Sequence, residues 1–216
     1  MLSLLRLKYP PRKDELVLPV NDCQAPRLAV TEALRGLISI RQFTSRPLSL
    51  DQVTKLLEAA RWSPSGGNLQ PWKVIALAGV EQQAVAALAQ RAGANPGADT
   101  EEGAGRGVHG AGDFEFFRAP VGLFFVIDQR LGRHQWAHLG MFMQSLALAA
   151  LEQGFGTCTQ EFCSTLRVSL HRHFGLPATD LLHCGMALGH PVPAAPINQL
   201  RSWRVPVEKF ATLRGF

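Results

Sequence analysis

One segment limits the possible folds more than any other. Residues 134–153, HQWAHLGMFMQSLALAALEQ, read as a single long helix that is apolar on nearly every side and is ended by Gly154. A helix without a polar face cannot lie on a wet surface, so it must be buried in the core or against another subunit. It does not cross a bilayer: the apolar stretch from Ala137 to Leu151 is too short and is interrupted by His138, Gln144 and Ser145. The chain must therefore wrap other elements around this helix or pair it with a second copy.

The rest of the sequence has the means to do so. Its 216 residues, 46% hydrophobic, suit one large domain with a sizeable core better than two small ones. The 22 Lys and Arg against 17 Asp and Glu give a net charge of +5. These basic residues are scattered and do not interleave with aromatics, so the sequence points to no nucleic-acid partner, although the charge favours anionic ligands. Cys23, Cys158, Cys163 and Cys184 form no CxxC pair, the pattern of reduced thiols in a cytoplasmic protein. The opening MLSLLRLKYPPRK lacks the order of charge, apolar core and small residues that marks a secretory signal. Residues 1–26 are expected to form an arm over the body or a partner subunit, with 27–216 as a single domain.

Along the chain, 29–38 read as a helix with Thr31 as its cap. Ser49 caps a second, SLDQVTKLLEAARW, where Val53, Leu56, Leu57 and Ala60 share one face and Gln52 completes capping-box spacing. Ser63-Pro64 stops it. A loop over 63–72 leads to a buried strand, KVIALA, and a helix near 80–91. Residues 92–113 are glycine-rich and read as a surface loop. The apolar strand VGLFFVID follows Ala119-Pro120; beyond the long helix come a shorter helix at 164–174 and a buried strand, LLHCGMALG. Proline-rich residues 191–206 lead into an extended tail. Helices alternating with isolated strands indicate an α+β domain.

Four runs in this order carry a specific signal: SIRQF (39–43), ARWSPSGGNLQPW (60–72), HLGMFMQSLALAALEQGFGT (138–157), and the C-terminal stretch from GMALGHP to NQLRSWRVPVEKF. Together they resemble the nitroreductase family, from about residue 29 to the C-terminus. The resemblance implies a mixed central sheet flanked by helices, in an intertwined homodimer that binds FMN between its subunits. It implies hydride transfer from NADPH or NADH, through flavin N5, to a nitroaromatic, a quinone or a similar small-molecule acceptor. Flavin breakdown, dehalogenation, metabolite dehydrogenation or non-catalytic flavin binding are alternatives on the same fold. Dimerisation would also meet the demand of the apolar helix.

FMN needs cations at its phosphate and donors at N1/O2 and N5, while the protein binds, orients and tunes the ring. The resemblance places Arg41 at the N1/O2 side, although a surface arginine would look the same. Ser39 falls near the ribityl-phosphate end, where it could equally make a local turn bond. Pro64, Ser65 and Asn68 match contacts made from the second subunit, with Gln70 a weaker ring-edge candidate; alone, the segment reads as an ordinary glycine-proline loop. Thr159, Glu161 and Phe162 match the strand-like turn beside the flavin, the last two through backbone groups. Glu161 could otherwise be a solvated carboxylate. Arg204, and less directly Arg201, match the phosphate cations, a task suited to the guanidinium fork. Leu37 and Ile38 stand where many relatives have paired arginines, so either the phosphate relies on Arg201, Arg204 or Arg35, or FMN binds more weakly. His134 and His138, four apart on the long helix, lack the glutamate and third ligand of a metal site. His171-Arg172-His173 reads as a cationic helix end, and Cys158 as a core thiol or a redox thiol beside the flavin.

Overall fold

The computed structural model describes residues 29–93, 113–161 and 166–216. The N-terminal arm, most of the glycine-rich segment, Phe162, Cys23 and Cys163 lie outside them. Four strands form one sheet in the order β1-β2-β4-β3: β1 Lys73–Ala78, β2 Val121–Asp128, β3 Gly156–Gln160 and β4 Asp180–Gly189. Every strand pairing is antiparallel. The expected mixed sheet is corrected to this extent: within the described residues, parallel pairing is confined to an isolated bridge between Ser39 and Thr157.

β2 explains the layering. Its residues from Val121 to Ile127 are all buried, as in a central strand covered on both faces. Val121, Leu123, Phe125 and Ile127 join a core with α2 (Leu50–Ala60) and α4 (Arg133–Glu152). Phe124 and Val126 point the other way, into a core with α3 (Gly79–Gly93) and α5 (Arg167–His173). Alternation with period two thus serves two cores from one strand. β4 does the same through a bulge. Phe125 pairs with Cys184 but Val126 pairs with Leu182, which leaves His183 as the extra residue. The bulge resets the alternation, so Cys184 and Leu182, two apart, serve opposite cores.

Local chemistry sets the element ends. Ser49 and Gln52 exchange both capping-box bonds, at 3.2 and 2.8 Å, and open α2 as expected. Gly154, at φ +75°, takes the left-handed turn that ends α4. Thr31 does not cap α1 (Val30–Gly36): Ala29 occupies that position without a side-chain bond. Nor is β1 a buried strand. It lies at a sheet edge, and Leu77 is its one buried residue.

The core of its own chain covers α4 only in part. Its core face carries Leu139, Phe142, Leu146 and Ala150, and Trp72 stacks on Phe142 at 4.8 Å. Ala137, Gly140, Met141 and Gln144 are exposed, so within one chain the helix is covered on only part of its circumference.

Candidate active site

A strap of chain after α1 builds one side of a cavity of about 880 Å³. Ile40 N–H donates to the Thr157 carbonyl at 2.9 Å, which fastens the strap to β3, and Thr44 N–H donates to the His190 carbonyl at 2.9 Å beyond the end of β4. The approach to β3 is close. A Cβ on Gly156 would lie 2.6 Å from the Ile40 side chain, so only glycine admits the strap there.

The cavity's other walls are Gly140, Met143, Gln144 and Ala147 of α4, Thr157 and Thr159 of β3, and the C-terminal arm from Ile197 to Arg204. Four arginines line it: Arg35, Arg41, Arg201 and Arg204. No Asp or Glu does, and none of the four is ion-paired to a carboxylate among the described residues. They make only thin contacts with backbone carbonyls. Arg204 donates to Ser202 at 3.0 Å and Trp203 at 3.2 Å, while Arg41 reaches the Ser39 carbonyl at 3.5 Å. Clustered guanidinium groups without carboxylates repel one another and form a receptor for an anion. A dianionic phosphate fits that charge, and the apolar Leu34, Leu37, Ile38 and Met143 offer surface to a flat ring.

Five sequence candidates meet here: Ser39, Arg41, Thr159, Arg201 and Arg204. Glu161 is exposed and does not line the cavity. Pro64, Ser65, Asn68 and Gln70 do not reach it either. Their loop is strained at Asn68 and Gln70, with φ of +53 and +47°, a cost retained where geometry is required. The loop rests on α4. Ser63 Oγ is 2.8 Å from Ser145 Oγ, and Gln135 Nε2 donates to the Gly66 carbonyl at 3.4 Å. The Ser65 hydroxyl accepts Gln70 N–H at 3.1 Å. His138 Nδ1 contacts Gln135 Oε1 at 3.1 Å and Gly66 N at 3.4 Å, which gives it a place in this network.

Neither described cysteine is arranged as a nucleophile. Burial pushes the Cys184 thiol up to about 12, so it stays protonated. Cys158 packs in the α3/α5 core, the position of a small apolar side chain. Burial, then Arg46, lowers the pKa of His190, whose Nε2 is buried without a partner; burial, then Arg167, lowers that of His183.

The sequence profile of the nitroreductase family matches residues 35–190, from the last turn of α1 to just past β4. The chain belongs to the nitroreductase family. It is 31% identical to a 4-nitrobenzoate reductase of Pseudomonas putida, over 82% of this chain and 92% of that one. It is 29% identical to a nitrobenzene nitroreductase of Ectopseudomonas oleovorans, over 85% of this chain and 96% of that one. Among solved structures, a variant of the FMN- and NADPH-dependent nitroreductase of sphigopyxis sp. strain HMH superimposes with a TM-score of 0.79. It is 31% identical, covering 86% of this chain and 99% of that one.

In this nitroreductase, sequence reasoning missed two features of the cavity. The first is the α4 wall, where Gln144 read only as a polar interruption of an apolar helix. The second is Asn198, 3% exposed, which holds the strap and the C-terminal arm together. Nothing in Pro196-Ile197-Asn198-Gln199 separates Asn198 from exposed Gln199 until the strap, more than 150 residues earlier, is folded beside it.

Proposed function

We propose that the protein is an FMN-dependent NAD(P)H oxidoreductase that reduces nitroaromatic compounds as a homodimer with a flavin site at each end of the interface. The acid-free cavity with four arginines carries this reading. The family and relatives named for nitrobenzoate and nitrobenzene reduction support it. FMN, when bound, supplies hydride transfer between reduced nicotinamide and the acceptor. The chain's own residues bind and tune. Arg204, helped by Arg201 and Arg35, holds the phosphate where Leu37 and Ile38 cannot. Arg41 faces the N1/O2 side, where its charge favours the reduced ring, and Ser39 and Thr159 flank the cofactor.

The helical wheel of α4 supports the dimer. At about 100° per residue, Gly140, Met143, Gln144 and Ala147 face the cavity, and Gln135, His138 and Ser145 face the loop on nearly the opposite side. Between them runs a stripe of exposed Ala137, Met141 and Gln144 with half-buried Leu148. A second copy packed twofold on that stripe presents its loop, with Pro64, Ser65, Asn68 and Gln70, to the first copy's cavity. The arm adds unburied Val205, Phe210, Leu213 and Phe216, at 49, 69, 71 and 105% exposure, which a partner's surface would cover. Among the described residues no helix is long and apolar enough to cross a membrane. The cysteine spacing supports a cytoplasmic location.

Anaerobic mixing of the yellow protein with NADPH, and separately NADH, should bleach its flavin absorbance. 4-Nitrobenzoate or nitrobenzene should then restore it. A colourless protein after reconstitution with FMN, or a colour that reduced nicotinamide leaves unchanged, refutes this function.

A further inference from the structure

The strap that carries Arg41 and the arm that carries Arg201 and Arg204 belong to opposite ends of the chain, and one side chain joins them. Asn198 Oδ1 accepts two consecutive backbone N–H groups, from Arg41 at 2.9 Å and Gln42 at 3.2 Å. Its Nδ2 donates to the carbonyls of Gln42 at 2.8 Å and Val192 at 3.1 Å. All four hydrogen-bonding positions of the amide are thus filled, and the side chain is buried. Only an amide of this size accepts and donates at once in this geometry. Asn198 N–H also donates to Ala195 O at 2.9 Å, which fixes the turn from which the arm departs.

We infer that Asn198 is a positioning residue for the flavin site. It sets the register between Arg41, at the ring, and the arginines at the phosphate, three and six residues further along. Its bonds hold the backbone of Arg41 while leaving the guanidinium with one 3.5 Å contact and free to meet a ligand. Because the two cationic groups are coupled through one amide, its loss disturbs ring tuning and phosphate binding together. This inference rests on the FMN reading above and adds to it a residue that touches no cofactor.

The test is Asn198→Ala in the reconstituted holoprotein, read by three quantities: the FMN and riboflavin dissociation constants, the flavin midpoint potential, and thermal stability. Losing the clamp's hydrogen bonds should weaken FMN binding by about ten- to thirtyfold. The preference for FMN over riboflavin should shrink, and the midpoint potential should fall. Gln199→Ala is the control. Gln199 braces the same turn through a 2.6 Å bond to Pro193 O without touching the strap, so its loss should lower stability alone. Asn198→Asp keeps size and the Oδ1 acceptor but sets a carboxylate oxygen against two carbonyls. It should shrink the FMN preference, and it serves as the readout if the alanine variant fails to fold. Folded Asn198 variants with wild-type FMN preference and potential, and only a lower melting temperature, overturn the inference. Wild-type protein that binds neither flavin overturns the FMN reading itself.

Discussion

The strap at 39–44 and the loop at 63–70 look alike in sequence: each is a short polar stretch between elements, and each resembles a flavin-binding segment. The fold treats them differently. The strap is bonded to β3, to the end of β4 and to Asn198, and it lines the cavity with Ser39 and Arg41. The loop is held just as firmly, by Ser63, Ser65 and Gln135 and by three left-handed residues, yet it lies on the far side of α4 from that cavity. A loop held in a strained shape for no purpose of its own chain is accounted for by a purpose in another. The contrast supports the proposal that one chain supplies two half-sites, not one complete site.

The most severe way to break this comparison is to spoil the stripe between the two. Met141 is 46% exposed at its centre, and Met141→Glu places a charge in the proposed interface at a cost of several kcal/mol. The expected result is a monomer by sedimentation that no longer retains FMN. A yellow, dimeric M141E protein would return the loop to a purely structural role.

Mixed dimers sharpen the comparison. Arg204→Ala should cost about 1.5–3 kcal/mol of phosphate binding, or ten- to hundredfold in FMN affinity. Asn68→Ala should weaken the same site from the other subunit. When an R204A chain is paired with an N68A chain, one cavity receives both lesions and the other neither. Half of the sites should then bind FMN with wild-type affinity. If every site in the mixed dimer is equally weak, the arm and the loop serve the same chain and the two-chain site is wrong.

Arg41→Ala addresses the strap alone. It should lower the flavin midpoint potential, by roughly 30 mV for each 1.4 kcal/mol of lost preference for the reduced anion. Redox titration against a reference dye decides this. Equal potentials with collapsed binding of oxidised FMN would make Arg41 an anchor and not a tuner.

The smallest expected effect lies away from both segments, at the bulge residue His183. Burial, then Arg167, holds its pKa below the ordinary 6.5, so the folded state binds fewer protons than the unfolded chain. Its stability contribution is therefore complete above pH 6.5 and declines as pH falls from there toward the lower native value. His183→Gln should flatten the melting temperature between pH 7 and 5 by a degree or so, of the order expected for a fraction of a kcal/mol. A wild-type curve that is already flat over that range removes His183 as a source of pH dependence.

Much of this architecture was legible in the sequence because it is written in local rules. The Ser49/Gln52 box opens α2, Gly154 closes α4, and the alternation of VGLFFVID carries residues for two cores. The resemblance also named arginines that the structure brings to one cavity. It could not say that Arg41, Arg201 and Arg204 share one cavity while Asn68 faces elsewhere, because that depends on which sides of α4 the strap and loop occupy. Thr31 and β1 went astray for a related reason: capping and burial depend on what packs nearby, not on the residue alone.

The sequence by itself determined the elements, the apolar helix that must find a partner, and the kind of side chains available to an anion. Only the tertiary structure decided which of them meet. Asn198 shows why. Its value lies in four hydrogen bonds, three of them to a segment more than 150 residues away, and a long-range contact of that kind leaves no periodicity in the chain that makes it. Hydrophobic patterning is read along the chain, but a polar clamp exists only once folding has brought its partners together and excluded the water that would otherwise replace them.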